Sequence, residues 1–159
     1  MRPLEASDAD GLRELVNDEI VYRYLPTYLF EKKYADIDYV ISHLYDECLE
    51  ESLILGIFRD GEFCGLGEMY GYRQPIHKIS IGYRSLERFW GKGVASEAVR
   101  LMVHYLYNET DIELITASTM PANHGPEHVL IKNGFKLVAE CVDEDWGFPE
   151  PTPANKWIR

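Results

Sequence analysis

No run in this 159-residue sequence approaches the roughly 18 apolar residues that a bilayer-spanning helix needs. Met1-Arg2-Pro3-Leu4-Glu5 lacks the apolar core of a secretory leader, so the expected location is the cytoplasm and no membrane partner is expected. Cysteine is scarce. Cys48, Cys64 and Cys141 are odd in number and widely spaced, which argues against a disulfide framework and a zinc pattern. They read as small buried hydrophobes in a reducing compartment. His43, His77, His104 and His128 show no ligand spacing with nearby carboxylates, so no metal is expected. Positive charge is scarce too. Sixteen basic residues face 27 acidic ones, and the formal charge of −11 works against nucleic acid, which is held by neutralising its phosphates. There is no internal repeat, and no low-complexity linker before residue 140. What is present, 46% apolar and 27% charged residues, suits an ordinary globule with one domain over 1–159.

The basic residues that do occur are unevenly placed. Between Arg73 and Arg100, six of them (Arg73, Lys78, Arg84, Arg88, Lys92, Arg100) stand against only Glu87 and Glu97. That stretch is +4 in a chain whose remainder is −15. A positive island in an acidic protein points to a bound anion.

Hydrophobic periodicity lays out the elements. Residues 1–6 read as a short strand, and Ser7-Asp8 offers an N-cap for a helix carrying Leu12, Leu15 and Val16. A second helix runs from Asp36 to about Glu50, with Ile37, Val40, Ile41, Leu44 and Cys48 on one face. Ser52 to Phe58 is a strand, Asp60-Gly61 a hairpin turn, and Glu62 to Tyr70 the return. His77 to Ser85 alternates as a strand. From Gly93 to about Asn108 the period becomes helical. Ile112 to Ser118 is a strand, Pro126 and Gly134 bracket a short helix, and Phe135 to Val142 and Ala154 to Arg159 are the last strands. Strands and helices mix without strict alternation, which gives an open mixed sheet.

One run carries chemistry: a strand ending Ile81-Gly82-Tyr83-Arg84-Ser85, the turn Trp90-Gly91-Lys92-Gly93, and a helix opening on Val94-Ala95-Ser96. A glycine turn before small residues exposes free backbone N–H groups at the positive end of a helix, a site for pyrophosphate. Arg88 and Lys92 add charge. It is neither a Walker A loop nor a dinucleotide fingerprint, because the glycine spacing is wrong for both. About thirty residues on, Asn123 precedes a short helix that ends in Lys132-Asn133-Gly134-Phe135.

Together these resemble the GNAT superfamily of acetyl-CoA-dependent N-acetyltransferases, in its RimJ/RimL-like branch. Trp90-Gly91-Lys92-Gly93-Val94-Ala95 matches the family's pyrophosphate loop, with Trp in place of the usual Gln or Arg. The pattern also fits from Arg88, two residues earlier. The Trp90 register puts Ser96-Glu97-Ala98 at the usual start of the helix. The resemblance implies an α/β (α+β) domain with a central mixed, mostly antiparallel, splayed sheet of about six or seven strands and about four helices. It implies backbone groups of Tyr83, Arg84 and Ser85 on the pantetheine arm, and N–H groups of Gly91 to Ala95 on the pyrophosphate. Arg88, Trp90, Lys92, Asn123 and Lys132 complete the expected acetyl-CoA site.

The usual leaving-group acid, Ser or Tyr after the Asn, is replaced by Pro126 or Leu130. Glu68 is the candidate base, and Tyr83 and His124 are candidate acids. Tyr22, Tyr24, Tyr28, Tyr34 and Tyr39 crowd the region where the family binds its acceptor, an amine for which the acidic composition suits a cation. The chain is expected as a monomer or homodimer. Two rivals stand beside this reading: a catalytically silent CoA-binding domain, and a nucleotide-binding module that shares only the anion turn.

Overall fold

The computed structural model describes residues 1–48 and 52–159. Six strands, β1 (Ser52–Arg59), β2 (Glu62–Arg73), β3 (Lys78–Ser85), β4 (Leu114–Thr119), β5 (Lys136–Glu144) and β6 (Thr152–Ile158), form one sheet. Their order is β1-β2-β3-β4-β6-β5. Every neighbouring pair is antiparallel except β3 and β4. A parallel pair needs a crossover that returns the chain to the same end of the sheet, and the long helix between residues 94 and 109 supplies it. The expected mixed, mostly antiparallel sheet is what forms.

The described helices are α1 (Ala9–Val16), α2 (Glu19–Tyr22), α3 (Phe30–Lys33), α4 (Ile37–Cys48), α5 (Val94–Glu109) and α6 (His124–Lys132). Six replace the expected four, because α2 and α3 are single turns too short for a periodic pattern to register. The expected end of the second helix at Glu50, and the side chain of Cys48, lie outside the described residues. Along β2, Leu66 and Met69 fall on opposite faces by the two-residue period. Leu66 joins Leu12, Leu15 and Leu44 of α1 and α4. Met69 joins Met102 and Leu106 of α5 and Leu130 of α6. The sheet is therefore packed on both sides.

Residues 1–6 do not form the expected strand. They make one bridge, Arg2 with Gly56, through hydrogen bonds of 3.2 and 2.9 Å. Pro3 has no N–H to continue a ladder, and the Leu4 amide donates instead to the Tyr45 hydroxyl at 2.9 Å. Nor does Asp8 cap α1 with its side chain. Its buried carboxylate turns back to the Glu5 amide at 2.8 Å and to the Arg2 guanidinium at 2.8 and 2.9 Å. Strand β6 starts two residues earlier than expected. Pro153 sits at its beginning, where a missing donor costs least.

Candidate active site

Strands β3 and β4 pair only at Lys78–Leu114, Ile79–Ile115 and Ser80–Thr116. Beyond that point β3 stays with β2 as far as Ser85–Gly65, and β4 departs with β6 as far as Thr119–Asn155. Among the described residues, the edge of β3 from Ile81 to Ser85 has no strand beside it on the β4 side. Its backbone polar groups there are left open to a ligand.

At the end of this edge the chain turns into α5. The Trp90 indole donates to the Ser85 carbonyl at 2.8 Å and pins the turn to the strand. Gly91 and Gly93 take positive φ values of 70° and 81°. A Cβ at either would meet nothing within 4 Å, so the surface of the turn is open to an approaching group. The Glu97 amide takes the Gly93 carbonyl at 3.0 Å as the first bond of the helix. The amides of Val94, Ala95 and Ser96 precede it and project from the positive end of α5.

Charge around the turn differs from a simple count. Arg88 pairs with Glu14, and with Glu62 at 3.2 Å. Arg100 pairs with Glu97 at 2.6 Å. Arg84 is buried away from the turn, against Glu31 and Glu68. Lys92 has no acidic partner among the described residues, and it sits in the turn itself. Lys132 lies at the end of α6, where the Asn133 side chain donates to the Ser96 carbonyl at 3.1 Å and ties α6 to the start of α5. That tie gathers Gly93, Ser96, Lys132 and Arg159 around one shallow pocket beside the turn.

At the mouth of the splay is a cavity of ≈ 170 Å³ lined by Glu68, Tyr70, Tyr83, Asn123 and Trp146 among others. Glu68 and Tyr83, the candidate base and acid, and Asn123, expected in the coenzyme site, line this one cavity. Tyr24 and Tyr28 also reach it. Tyr34 and Tyr39 instead pack edge to face with ring centres 4.9 Å apart, and both hydroxyls donate to Glu47 of α4. His124 is exposed and faces Glu127 at 3.5 Å.

Glu68 is held by Arg84, whose Nη1 donates to it at 2.9 Å. The same guanidinium pairs with Glu31 of α3, donating from Nη2 at 2.7 Å, and the Tyr22 hydroxyl donates to Glu31 at 2.9 Å. Burial alone would discourage the Arg84 charge, but Glu31 and then Glu68 reverse that and raise its pKa. Glu31 escaped sequence reasoning because Phe30-Glu31-Lys32-Lys33 looks like a solvated surface. Trp146 escaped it too, hidden in an acidic, proline-rich loop. The Thr27 amide donates to the Trp146 carbonyl at 2.9 Å and the Tyr28 hydroxyl to the Asp145 carbonyl at 3.2 Å, which clasps that loop over the cavity.

The Tyr83 hydroxyl is buried and finds no hydrogen-bond partner among the described residues. Burial pushes its pKa up, so it stays protonated through neutral pH. Leu130, where the expected acid is missing, is 1% exposed and belongs to the core beneath α6. It also lines the cavity, so a larger side chain there must either enter that space or displace its packed core neighbours. Leu130→Tyr is expected to cost about 1–3 kcal/mol of stability through overpacking, seen as a lower denaturant midpoint with an unchanged slope.

Among the described residues, no helix is long and apolar enough to cross a membrane.

A splayed sheet, an open glycine turn at a helix start and a carboxylate-bearing cavity across the gap define an acyltransferase architecture. The family model for the acetyltransferase (GNAT) domain matches residues 1–136. The chain belongs to this family of acetyl-CoA-dependent acyltransferases. It is 31% identical over 142 residues to the probable N-acetyltransferase YjcK of Bacillus subtilis, covering 85% of this chain and 78% of that protein. Its fold is similar to that of RimL, a ribosomal L7/L12 alpha-N-protein acetyltransferase solved with coenzyme A. That likeness has a TM-score of 0.81 at 20% identity, over 99% of this chain and 91% of the other. It is also similar to a spermidine N-acetyltransferase from Vibrio cholerae in complex with CoA and spermine. There the TM-score is 0.78 at 17% identity, over 99% of this chain and 92% of the other.

Proposed function

We propose that this protein moves the acetyl group of acetyl-CoA to a primary amine by direct attack within a ternary complex. The observation that carries this reading is the unpaired edge of β3, which links the glycine turn at one end to the Glu68 cavity at the other. In this reading the pantetheine arm lies along Tyr83, Arg84 and Ser85 as a substitute strand. The pyrophosphate is held by the N–H groups of Gly91 to Ala95, with Lys92 supplying charge and Trp90 fixing the turn. Lys132 and Asn123 border the bound coenzyme at either end. Arg88, balanced by Glu14 and Glu62, acts on the anion only through the local field.

The proton steps follow from the chemistry. The acceptor arrives as an ammonium ion and gives a proton to Glu68, directly or through water. The neutral nitrogen attacks the thioester carbon, and a backbone N–H near Tyr83 stabilises the oxyanion. As the C–S bond breaks, the thiolate takes a proton from the Tyr83 hydroxyl, which recovers one from the attacking nitrogen. Amide and free thiol result, with the first proton passed from Glu68 to solvent. Holding both substrates in place supplies most of the acceleration. The cysteines stay thiols in this cytoplasmic enzyme, and its acidic surface takes no part in nucleic-acid binding.

Release of free thiol from acetyl-CoA across a panel of amines tests the reading. No release with any amine, despite CoA binding, would favour a silent CoA-binding domain. Tyr83→Phe is expected to lower kcat at least about tenfold with CoA affinity preserved. An unchanged kcat would remove Tyr83 as the acid.

A further inference from the structure

The polar groups around the cavity do not balance. Glu31, with its side chain 1% exposed, and Glu68, 14% exposed, share the single guanidinium of Arg84, which is 3% exposed. The three formal charges leave one negative charge over, and of the two carboxylates Glu68 is the one that lines the cavity, beside Arg84. The other carboxylate of the cavity, Glu144, is matched: Lys156 Nζ lies 2.6 Å away and the Trp146 indole donates to it at 2.8 Å. At the outer rim Asp145 is exposed and accepts the Gly147 amide at 2.8 Å. Beside the neutral polar groups of Ser118, Thr119 and Asn123, the lining carries an apolar and aromatic set, Leu25, Pro26, Leu29, Tyr24 and Tyr28.

An unbalanced charge in a poorly solvated site is unfavourable until a cation joins it. One ammonium group balances the site. A second on the same molecule would leave water for a wall of rings and aliphatic side chains and find, among the described residues, only Asp145, an exposed carboxylate whose attraction water screens.

Resting on the acyl-transfer reading above, we infer that this pocket selects an amine with one positive charge on an apolar or aromatic body. Glu31 sets that selection. By neutralising Arg84 from beneath, it leaves the charge of Glu68 free for the acceptor, although it lies too deep to touch it. Glu31 is thus a positioning and charge-setting residue. The amine's ring would lie against Tyr24, Tyr28 and Trp146, where offset stacking and cation–π contact are both available.

Calorimetric titration of the CoA-bound protein at 0.15 M salt tests this whether or not turnover is seen. The probes are 2-phenylethylamine and spermidine. 2-Phenylethylamine is expected to bind at least tenfold more tightly, at one site. Spermidine binding equally or better, and displacing 2-phenylethylamine, would overturn the inference. Glu31→Gln, which cancels the excess charge, is expected to weaken 2-phenylethylamine at least tenfold with CoA affinity unchanged. Adding Arg84→Gln restores the single negative charge and should recover part of the loss, which a purely structural role for Glu31 would not produce. Unchanged amine affinity in folded Glu31→Gln would also overturn the inference. Should the variants not fold, the wild-type comparison of the two amines decides by itself. Absence of thiol release with every amine would defeat the acyl-transfer reading, while these binding constants would still judge the pocket.

Discussion

Gly93→Glu is expected to abolish measurable coenzyme A binding while the fold persists. Gly93 holds φ at 81°, and its missing side chain faces open space. A side chain there strains the backbone by about 1 kcal/mol, a modest part of the stability of a domain this size. The added carboxylate would lie before the free amides of Val94 to Ser96 and satisfy them in place of a phosphate. It would also repel the pyrophosphate. We expect affinity to fall at least about 100-fold, or about 2.8 kcal/mol, by calorimetry, with melting lowered by only a few degrees. Gly93→Ala carries the same strain without the charge, so its smaller loss would separate the two effects. Unchanged CoA affinity in folded Gly93→Glu would remove the turn from the cofactor site.

Glu68→Gln is expected to lower kcat at least about tenfold, a floor set below the roughly 10²- to 10⁴-fold that a general base typically contributes. The substitution should fold. The new amide oxygen can still accept from Arg84, and the Arg84–Glu31 pair that remains is balanced. The CoA constant should hold, because Glu68 sits at the far end of the open edge from the glycine turn. The amine KM should rise as the excess negative charge disappears. A kcat within about twofold of wild type would take Glu68 out of the mechanism and leave positioning and the oxyanion N–H to carry the rate.

Much of the open glycine turn was legible in the sequence because it is built from consecutive residues. Trp90 to Ala95 specify their turn through two glycines and a run of small side chains, whatever the rest of the chain does. The strand before it and the helix after it announce themselves by periods of two and 3.6. The charge count served less well. Six basic residues around the turn suggested a field that Glu14, Glu31, Glu62, Glu68 and Glu97 largely cancel. Two of those acids come from the N-terminal thirty-odd residues, and no local pattern connects them to Arg84 or Arg88.

The sequence by itself determined most strands, the helix from Gly93 to about Asn108 and the open glycine turn, since local periodicity and backbone freedom depend on neighbours along the chain. Only the tertiary structure decided the Glu68 cavity. There α3 brings Glu31 to Arg84 across 53 positions, the Trp146 loop closes on Thr27 and Tyr28, and β3 parts from β4 after three residue pairs. A buried carboxylate in a Glu-Lys-Lys segment looks solvated until packing removes its water. The balance of charge in the cavity depends on which distant groups share that low-dielectric space.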